Sequence, residues 1–330
     1  MRSRTWGRLP VSADPRSRLS EQARLVVEEQ YKVGAVPRHV LTPEQARSAW
    51  ELLPTAVGPP VADVSDVTLE GRGGPLSVRI YRPGGDSVGT LLYMHGGGWV
   101  TGTVDGSDAV CRRLALLARC NVVSLGYRLA PEFPFPAAVE DAWDCLVSIA
   151  KGNLFSSSAT EPIAVGGMSA GGNLAAVMSL MAREAGFPKV SYQLLVVPVL
   201  DCDLDRTSYF ENEVGLGLER EEMKWFWDHY LAAPEKRRDW RASPIRAEGL
   251  AGLPRTSIVV ADCDPLRDED IDFAERLHEA GVPVVCTRWY RANHGFFGND
   301  RIDAGAMALR AEAEALRRAF ASSPEATKVP

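Results

Sequence analysis

A chain of 330 residues, 45% hydrophobic and 24% charged, can bury a substantial core as one large α/β domain or two average ones. Its net charge of −6 excludes the basic face that nucleic acid or an anionic membrane would select. Arg2, Arg4 and Arg8 are followed by Pro10, Asp14 and Pro15 where a signal peptide needs an apolar run, and no apolar stretch approaches the roughly 20 residues of a membrane span. The six cysteines (Cys111, Cys120, Cys145, Cys202, Cys263 and Cys286) include no C-x-x-C pair. They read as reduced, mostly core residues of a cytoplasmic protein. No Cys, His and carboxylate cluster has metal-ligand spacing, so neither a metal nor a cofactor is expected.

Residues 1–55 read as helical and separate from the rest of the chain. Leu25, Val26 and Tyr31 make a weak amphipathic face. Thr42-Pro43-Glu44-Gln45 opens a second helix, with Thr as N-cap, Pro at the first helical position and Gln three residues after the cap. Trp50, Leu52 and Leu53 are too apolar for a free tail, so this region must pack on the body or on residues 200–245. Pro54 and Gly58-Pro59-Pro60 end it.

From Val61 the period becomes that of strands. Val64 to Leu69 and Leu76 to Tyr81, around Gly71-Arg-Gly-Gly74, predict an antiparallel pair. Apolar runs then alternate with helical patterns. Thr90 to Met94 precedes a helix near Asp108 to Ala118, and Asn121 to Leu125 precedes one near Ala137 to Ala150. Ile163 to Val165 leads into a helix carrying Leu174, Val177, Met178 and Met181, with Gly186 at the left-handed cap position. Tyr192 to Val197 is the next strand. Thr256 to Val260 precedes a helix near Asp268 to Ala280, and Val282 to Trp289 precedes a final helix near Asp303 to Phe320. Uniformly apolar strands joined by helices predict a mostly parallel sheet covered on both faces. Residues 200–245 hold no strand but a helix with Met223, Phe226, Trp227 and Tyr230 on one side, an insertion whose aromatic stripe must cover something. The division is therefore 1–55 as N-terminal helices, 56–199 with 246–322 as the body, 200–245 as an insertion, and 323–330 as a polar tail.

The chemistry centres on Gly167-Met168-Ser169-Ala170-Gly171, between an apolar strand and a helix. A serine at so sharp a bend is driven into a strained conformation with its hydroxyl exposed, and the flanking glycines remove side chains that would collide. The helix N-terminus aims N–H groups and a positive dipole end at the same point. Small residues also serve ordinary strand-to-helix turns, so the remaining groups decide. A serine nucleophile needs a base, a group orienting that base, and donors for an oxyanion. His294 comes after the last apolar strand and therefore shares the carboxyl edge of the sheet with Ser169. His229 and His278 fall inside helices and are expected at the surface or half-buried. After the strand Thr256 to Val260 come Asp262, Asp264 and Asp268. Asp264 is the choice for the acid, and Asp268 is the expected helix N-cap. Met94-His95-Gly96-Gly97-Gly98-Trp99 ends the third strand with three glycines, which let backbone N–H groups approach a substrate.

Together these stretches resemble the hormone-sensitive-lipase branch of the α/β-hydrolases, a fold with an eight-stranded, mostly parallel sheet and a helical cap. The resemblance runs from about Val61 to Phe320. It rests on His95-Gly-Gly-Gly-Trp99, Tyr127-Arg-Leu-Ala-Pro-Glu132 with Phe135-Pro-Ala-Ala138, the Ser169 elbow, Ser243-Pro244, Asp264-Pro-Leu-Arg-Asp-Glu269 and His294-Gly-Phe296. It implies a Ser169, Asp264, His294 triad, oxyanion donors at Gly97, Gly98 and Ala170, and a cap built from the N-terminal helices and residues 200–245. His95 is expected to orient the glycine loop, and Trp99, Phe210, Trp225 and Phe297 are candidates for the substrate pocket. Met168 departs from the pattern, since family members usually carry Asp or Thr before the serine. The expected activity is that of a serine carboxylesterase acting on small or short- to medium-chain esters, with a homodimer possible. Amide hydrolysis, deacetylation or acyl transfer could use the same triad. A binding protein on a hydrolase scaffold, as in the plant gibberellin receptors, is disfavoured because all three triad residues are present.

Overall fold

The computed structural model describes residues 14–32, 36–51, 56–155 and 162–322. Leu52, Leu53 and the tail 323–330 fall outside them. Eight strands form one sheet: β1 Asp63–Gly71, β2 Gly74–Arg82, β3 Thr90–Met94, β4 Asn121–Gly126, β5 Ile163–Met168, β6 Val190–Val196, β7 Arg255–Cys263 and β8 Val284–Asn293. Their order is β1-β2-β4-β3-β5-β6-β7-β8. The hairpin β1–β2 and the pair β2–β4 are antiparallel, and every other pairing is parallel. The expected hairpin and mostly parallel sheet are both present.

Nine α-helices lie among the described residues: α1 Glu21–Lys32, α2 Pro43–Glu51, α3 Asp108–Ala118, α4 Ala137–Ala150, α5 Ala170–Ala185, α6 Thr207–Glu211, α7 Arg220–Tyr230, α8 Arg267–Glu279 and α9 Asp303–Ala321. Two apolar clusters cover the sheet. One joins α4, α5 and α8 through Leu146, Val177 and Phe273, and it also takes in Met223, Phe226, Trp227 and Tyr230 of α7. The other joins α1, α3 and α9 through Val27, Leu114 and Leu309. Each fully buried side chain of this size contributes about 1.5–3 kcal/mol.

Local signals act where they stand. Thr42 and Gln45 exchange hydrogen bonds with each other's backbone (3.0 and 3.3 Å), closing a capping box at α2. Gly186 caps α5 at φ 69°. In α1, by contrast, Ala23, Val26 and Val27 are the buried residues and Leu25 faces outward. Tyr31 is half-buried because its hydroxyl donates to Glu219 at 2.9 Å. The short α6, without a full turn of apolar period to announce it, is an addition to the sequence reading. Segment 200–245 leaves and rejoins the body at one point, where the Ile245 N–H donates to the Leu200 carbonyl (3.1 Å). The N-terminal helices meet it through the Arg38–Glu222 ion pair at 2.9 Å.

The α5–β3–β5 seam tolerates no extra atoms. A Cβ on Gly171 would sit 1.9 Å from the Met94 carbonyl oxygen, whereas one on Gly186 would meet nothing within 4 Å. Gly171→Ala is therefore expected to cost at least about 1–3 kcal/mol through overpacking against backbone. Gly186→Ala should cost only the roughly 1 kcal/mol of its left-handed φ. Chemical denaturation of both variants checks this, and equal losses would contradict it.

Candidate active site

Strand β5 ends at Met168, and Ser169 follows at φ 57°, ψ −120° before α5 begins at Ala170. A non-glycine residue in such a region costs of order ~1–3 kcal/mol and persists only when its surroundings over-determine it. Here the Ser169 N–H donates to Val196 (2.9 Å), and its carbonyl accepts from Asn173 (3.0 Å) and Val199 (3.2 Å). The Asn173 side chain, itself fully buried, donates to the Val199 and Ala242 carbonyls, both at 2.8 Å, and so ties α5 to the end of the 200–245 segment. Sequence reading missed that residue. A Cβ on Gly167 would lie 2.4 Å from the Gly171 backbone, so the bend needs glycine on both sides of the serine. Met168 packs, half-buried, against the α1/α3/α9 cluster. Apolar contact thus occupies the place where the resemblance leads one to expect a hydrogen-bonding side chain.

Asp264 is the first residue after β7, fully buried. Its Oδ2 lies 2.7 Å from His294 Nδ1, and its Oδ1 accepts the Leu266 N–H at 3.0 Å. That pairing places the imidazole proton on Nδ1 and leaves Nε2 with a lone pair for proton abstraction. Asn212 donates to the Asp264 carbonyl at 2.9 Å.

A bulge brings His294 there. Ala261 pairs with Trp289 but Cys263 pairs with Asn293, so β8 spends two more residues than β7 over the same span. Within the extra length Arg291 has φ 59°. Its guanidinium donates to the Leu19 carbonyl (2.7 Å from Nη2), and Ser20 donates to the Arg291 carbonyl (2.9 Å). This bulge extends the strand beyond the expected Trp289.

The other acids have different partners. Asp262 accepts from Arg288 Nε at 2.8 Å. Asp268 is not the N-cap of α8, which is Leu266. It lies inside the first turn, where it accepts the Ser208 N–H and pairs with Arg267, both at 2.8 Å.

The glycine loop closes over the serine. A Cβ on Gly96 would be 3.5 Å from the Ser169 Cβ, and Gly97, Gly98 and Trp99 turn at φ 115°, 58° and 60°. The Gly97 carbonyl accepts from Val100 (3.1 Å), from Thr101 N–H (2.9 Å) and from the Thr101 hydroxyl (3.0 Å). Gly98 must be glycine because its Cβ would lie 2.1 Å from the Phe226 ring of α7. His95 is buried, stacked on Tyr127 with centroids 4.2 Å apart, and its Nδ1 is 2.7 Å from the Gly96 carbonyl. The Tyr127 hydroxyl donates to the His95 carbonyl at 2.9 Å. Burial pushes the His95 imidazole down to about 4, so at neutral pH it is uncharged and its Nδ1–H donates to Gly96. Ala170, at the positive end of α5, is fully buried beside this loop.

The four pocket candidates do not form one group. Trp99 is fully buried, stacked on Tyr230 (4.0 Å) and near Trp227 (4.8 Å), where it anchors the loop to α7. Phe297 is buried in the α1/α3/α9 cluster. Phe210 is 52% exposed under the Arg220 guanidinium. Trp225 is half-buried, edge-on to Phe226 and His229. Aromatic content near a motif therefore located anchors and surface rings, because the fold uses large rings first for packing. Of the other histidines, His229 is half-buried and His278 exposed. Among the described residues no group of three or more His, Cys, Asp or Glu could hold a metal ion, and no helix is long and apolar enough to cross a membrane.

The family model described as alpha/beta hydrolase fold matches residues 91–298, which span the glycine loop, the serine elbow, Asp264 and His294. The chain belongs to the α/β-hydrolase family. Within it, the chain falls in the hormone-sensitive-lipase-like carboxylesterase branch. Esterase LipI of Mycobacterium tuberculosis is 38% identical over 260 residues, covering 77% of this chain and 81% of the relative. Ethyl acetate hydrolase of Pseudomonas putida is 34% identical over 263 residues, covering 76% and 81%. The solved structure of a hyperthermophilic esterase from the archaeon Pyrobaculum calidifontis superposes with a TM-score of 0.85 at 37% identity, over 91% of this chain and 98% of that one.

The state of His95 in this hydrolase is directly measurable. Its folded pKa lies below the ordinary 6.5, so the fold favours the neutral ring. The stabilisation is fully present above 6.5 and is lost as pH falls through about 4. An NMR titration of the imidazole resonances should show His95 unchanged from pH 7 to about 5. A protonation midpoint near 6.5 would mean that the ring is solvated and does not hold Gly96.

Proposed function

We propose that this carboxylesterase uses Ser169 as nucleophile, His294 as general base and acid, and Asp264 to hold the imidazole. The observation that carries the reading is the 2.7 Å pairing of His294 Nδ1 with the fully buried Asp264 carboxylate. It lies on the sheet edge that also bears the strained Ser169 and the glycine loop. In the reaction, Ser169 Oγ bonds to the ester carbonyl carbon while its proton passes to His294 Nε2. The carbonyl oxygen, now an anion, is held by the N–H groups of Gly97, Gly98 and Ala170. Collapse breaks the ester C–O bond, and His294 returns the proton to the departing alkoxide. Water then repeats the sequence on the acyl-enzyme and frees the acid. Asp264 holds the ring in place and stabilises the imidazolium.

The substrates we assign are small esters with short to medium acyl chains. One relative is named for ethyl acetate. Cys111, Cys145, Cys202, Cys263 and Cys286 form no disulfide, which fits a reducing compartment such as the cytoplasm.

Ser169→Ala and His294→Ala should each remain folded and lose on the order of 10⁴-fold in kcat on p-nitrophenyl acetate. His278→Ala, at an exposed position, should stay within about twofold, the usual range for a surface change. Near-normal turnover by either of the first two variants would overturn the assignment. Wild-type kcat/KM should fall as the acyl chain lengthens, and a higher value on emulsified long-chain lipid than on a soluble acetate would refute the substrate class.

A further inference from the structure

One side chain joins the N-terminal region to the glycine loop. Arg47, in α2, donates from Nε to the Val100 carbonyl (2.8 Å) and from Nη2 to the Ala130 carbonyl (2.7 Å). The same guanidinium grips the Glu132 carboxylate with both terminal nitrogens, at 2.8 and 2.6 Å. Val100 and Ala130 are both fully buried, and a buried carbonyl must find a donor. The two carbonyls belong to one short bridge, because the Ala130 N–H donates to the Trp99 carbonyl at 2.8 Å. Trp99 is the last of three successive residues at positive φ, and Val100 is bonded back to Gly97. The exit of the loop is thus fixed by a fork from an element outside the sheet. The planar, five-donor guanidinium suits this task, since a lysine could serve only one of the two carbonyls well. Arg47 holds the Glu132 carboxyl down to about 2, so the pair is charged throughout the neutral range.

We propose that Arg47 is a positioning residue for oxyanion stabilisation: α2 acts on the reaction by fixing the direction of the Gly97 and Gly98 N–H groups, without touching substrate. The inference rests on the carboxylesterase reading above. It also separates two effects of the N-terminal region, the roofing of a pocket and the setting of the loop. Roofing would appear in KM for large esters. Loop setting would appear in kcat for the smallest ones.

The test compares wild type, Arg47→Ala, Arg47→Lys and Glu132→Gln with p-nitrophenyl acetate and with an aliphatic trifluoromethyl ketone. The ketone accepts a serine Oγ and presents the resulting oxyanion to the loop. Misplacing a catalytic group by about an ångström costs on the order of 10²-fold. Arg47→Ala should therefore lose roughly 10- to 100-fold in kcat with KM within about threefold, and ketone affinity should fall by the same factor as kcat/KM. Arg47→Lys should fall between wild type and Arg47→Ala, and Glu132→Gln, which leaves both carbonyl bonds, should lose least. Thermal melts run alongside. If Arg47→Ala does not fold, the lysine variant carries the test. A folded Arg47→Ala, or in its absence Arg47→Lys, with unchanged kcat and ketone affinity overturns the proposal, whatever its melting temperature. A wild type inactive on every ester would instead sink the carboxylesterase reading.

Discussion

The carbonyl oxygen of Met94 occupies the space that any side chain at Gly171 would need, 1.9 Å from an ideal Cβ. This close approach of the β3 end to the first turn of α5 is the constraint on which the site depends. It sets the glycine loop, which continues from Met94, directly over the serine elbow, so that Gly96 comes within contact distance of Ser169. With side chains in the seam, the loop and the helix N-terminus would separate. The glycines exchange conformational entropy for proximity, and the parallel sheet beneath, paired from β4 to β8, supplies the rigidity that holds the result.

Strain is concentrated around the same edge. Among the described residues, four of the five non-glycine residues at positive φ are Trp99, Ser169, Val197 and Arg291. They stand at the ends of β3, β5 and β6 and inside the β8 bulge. Each is held by groups from a different element: Trp99 by Tyr230 of α7, Ser169 by Val196 and Val199, Val197 by the Val259 carbonyl, and Arg291 by Leu19 and Ser20. Two of these supports come from outside the sheet, from the 200–245 segment and the N-terminal region. The N-terminal region and the 200–245 segment therefore take part in the mechanics of this edge. Such over-determination is what lets backbone strain persist in a folded chain.

Much of this is visible in the sequence because its causes are local. The glycines around Ser169, the Thr42–Gln45 box, the Gly186 cap and the apolar runs of the strands each act within a few residues. The order Ser169, Asp264, His294 becomes a spatial statement once the strands are read as parallel, since loops at their carboxyl ends share an edge. What stayed hidden depends on long-range register and packing. The β8 bulge arises from pairing with β7 and from a clamp by residues some 270 positions earlier. Trp99 and Phe297 look like pocket residues from their neighbours, yet packing places them inside. Asp268 looks like an N-cap, but the cap falls two residues earlier, at Leu266, whose N–H donates to Asp264 Oδ1. Arg47 gives no signal, because an arginine on an amphipathic helix is usually solvated.

The proposed reaction turns on attack at a carbonyl by one serine, held in a strained backbone conformation and served by His294. Brief reaction of the folded protein with a fluorophosphonate, followed by proteolysis and mass spectrometry, tests it directly. A single stoichiometric adduct on Ser169, abolished in His294→Ala, is the expected outcome. No adduct under these conditions, or one on a different residue, would contradict it.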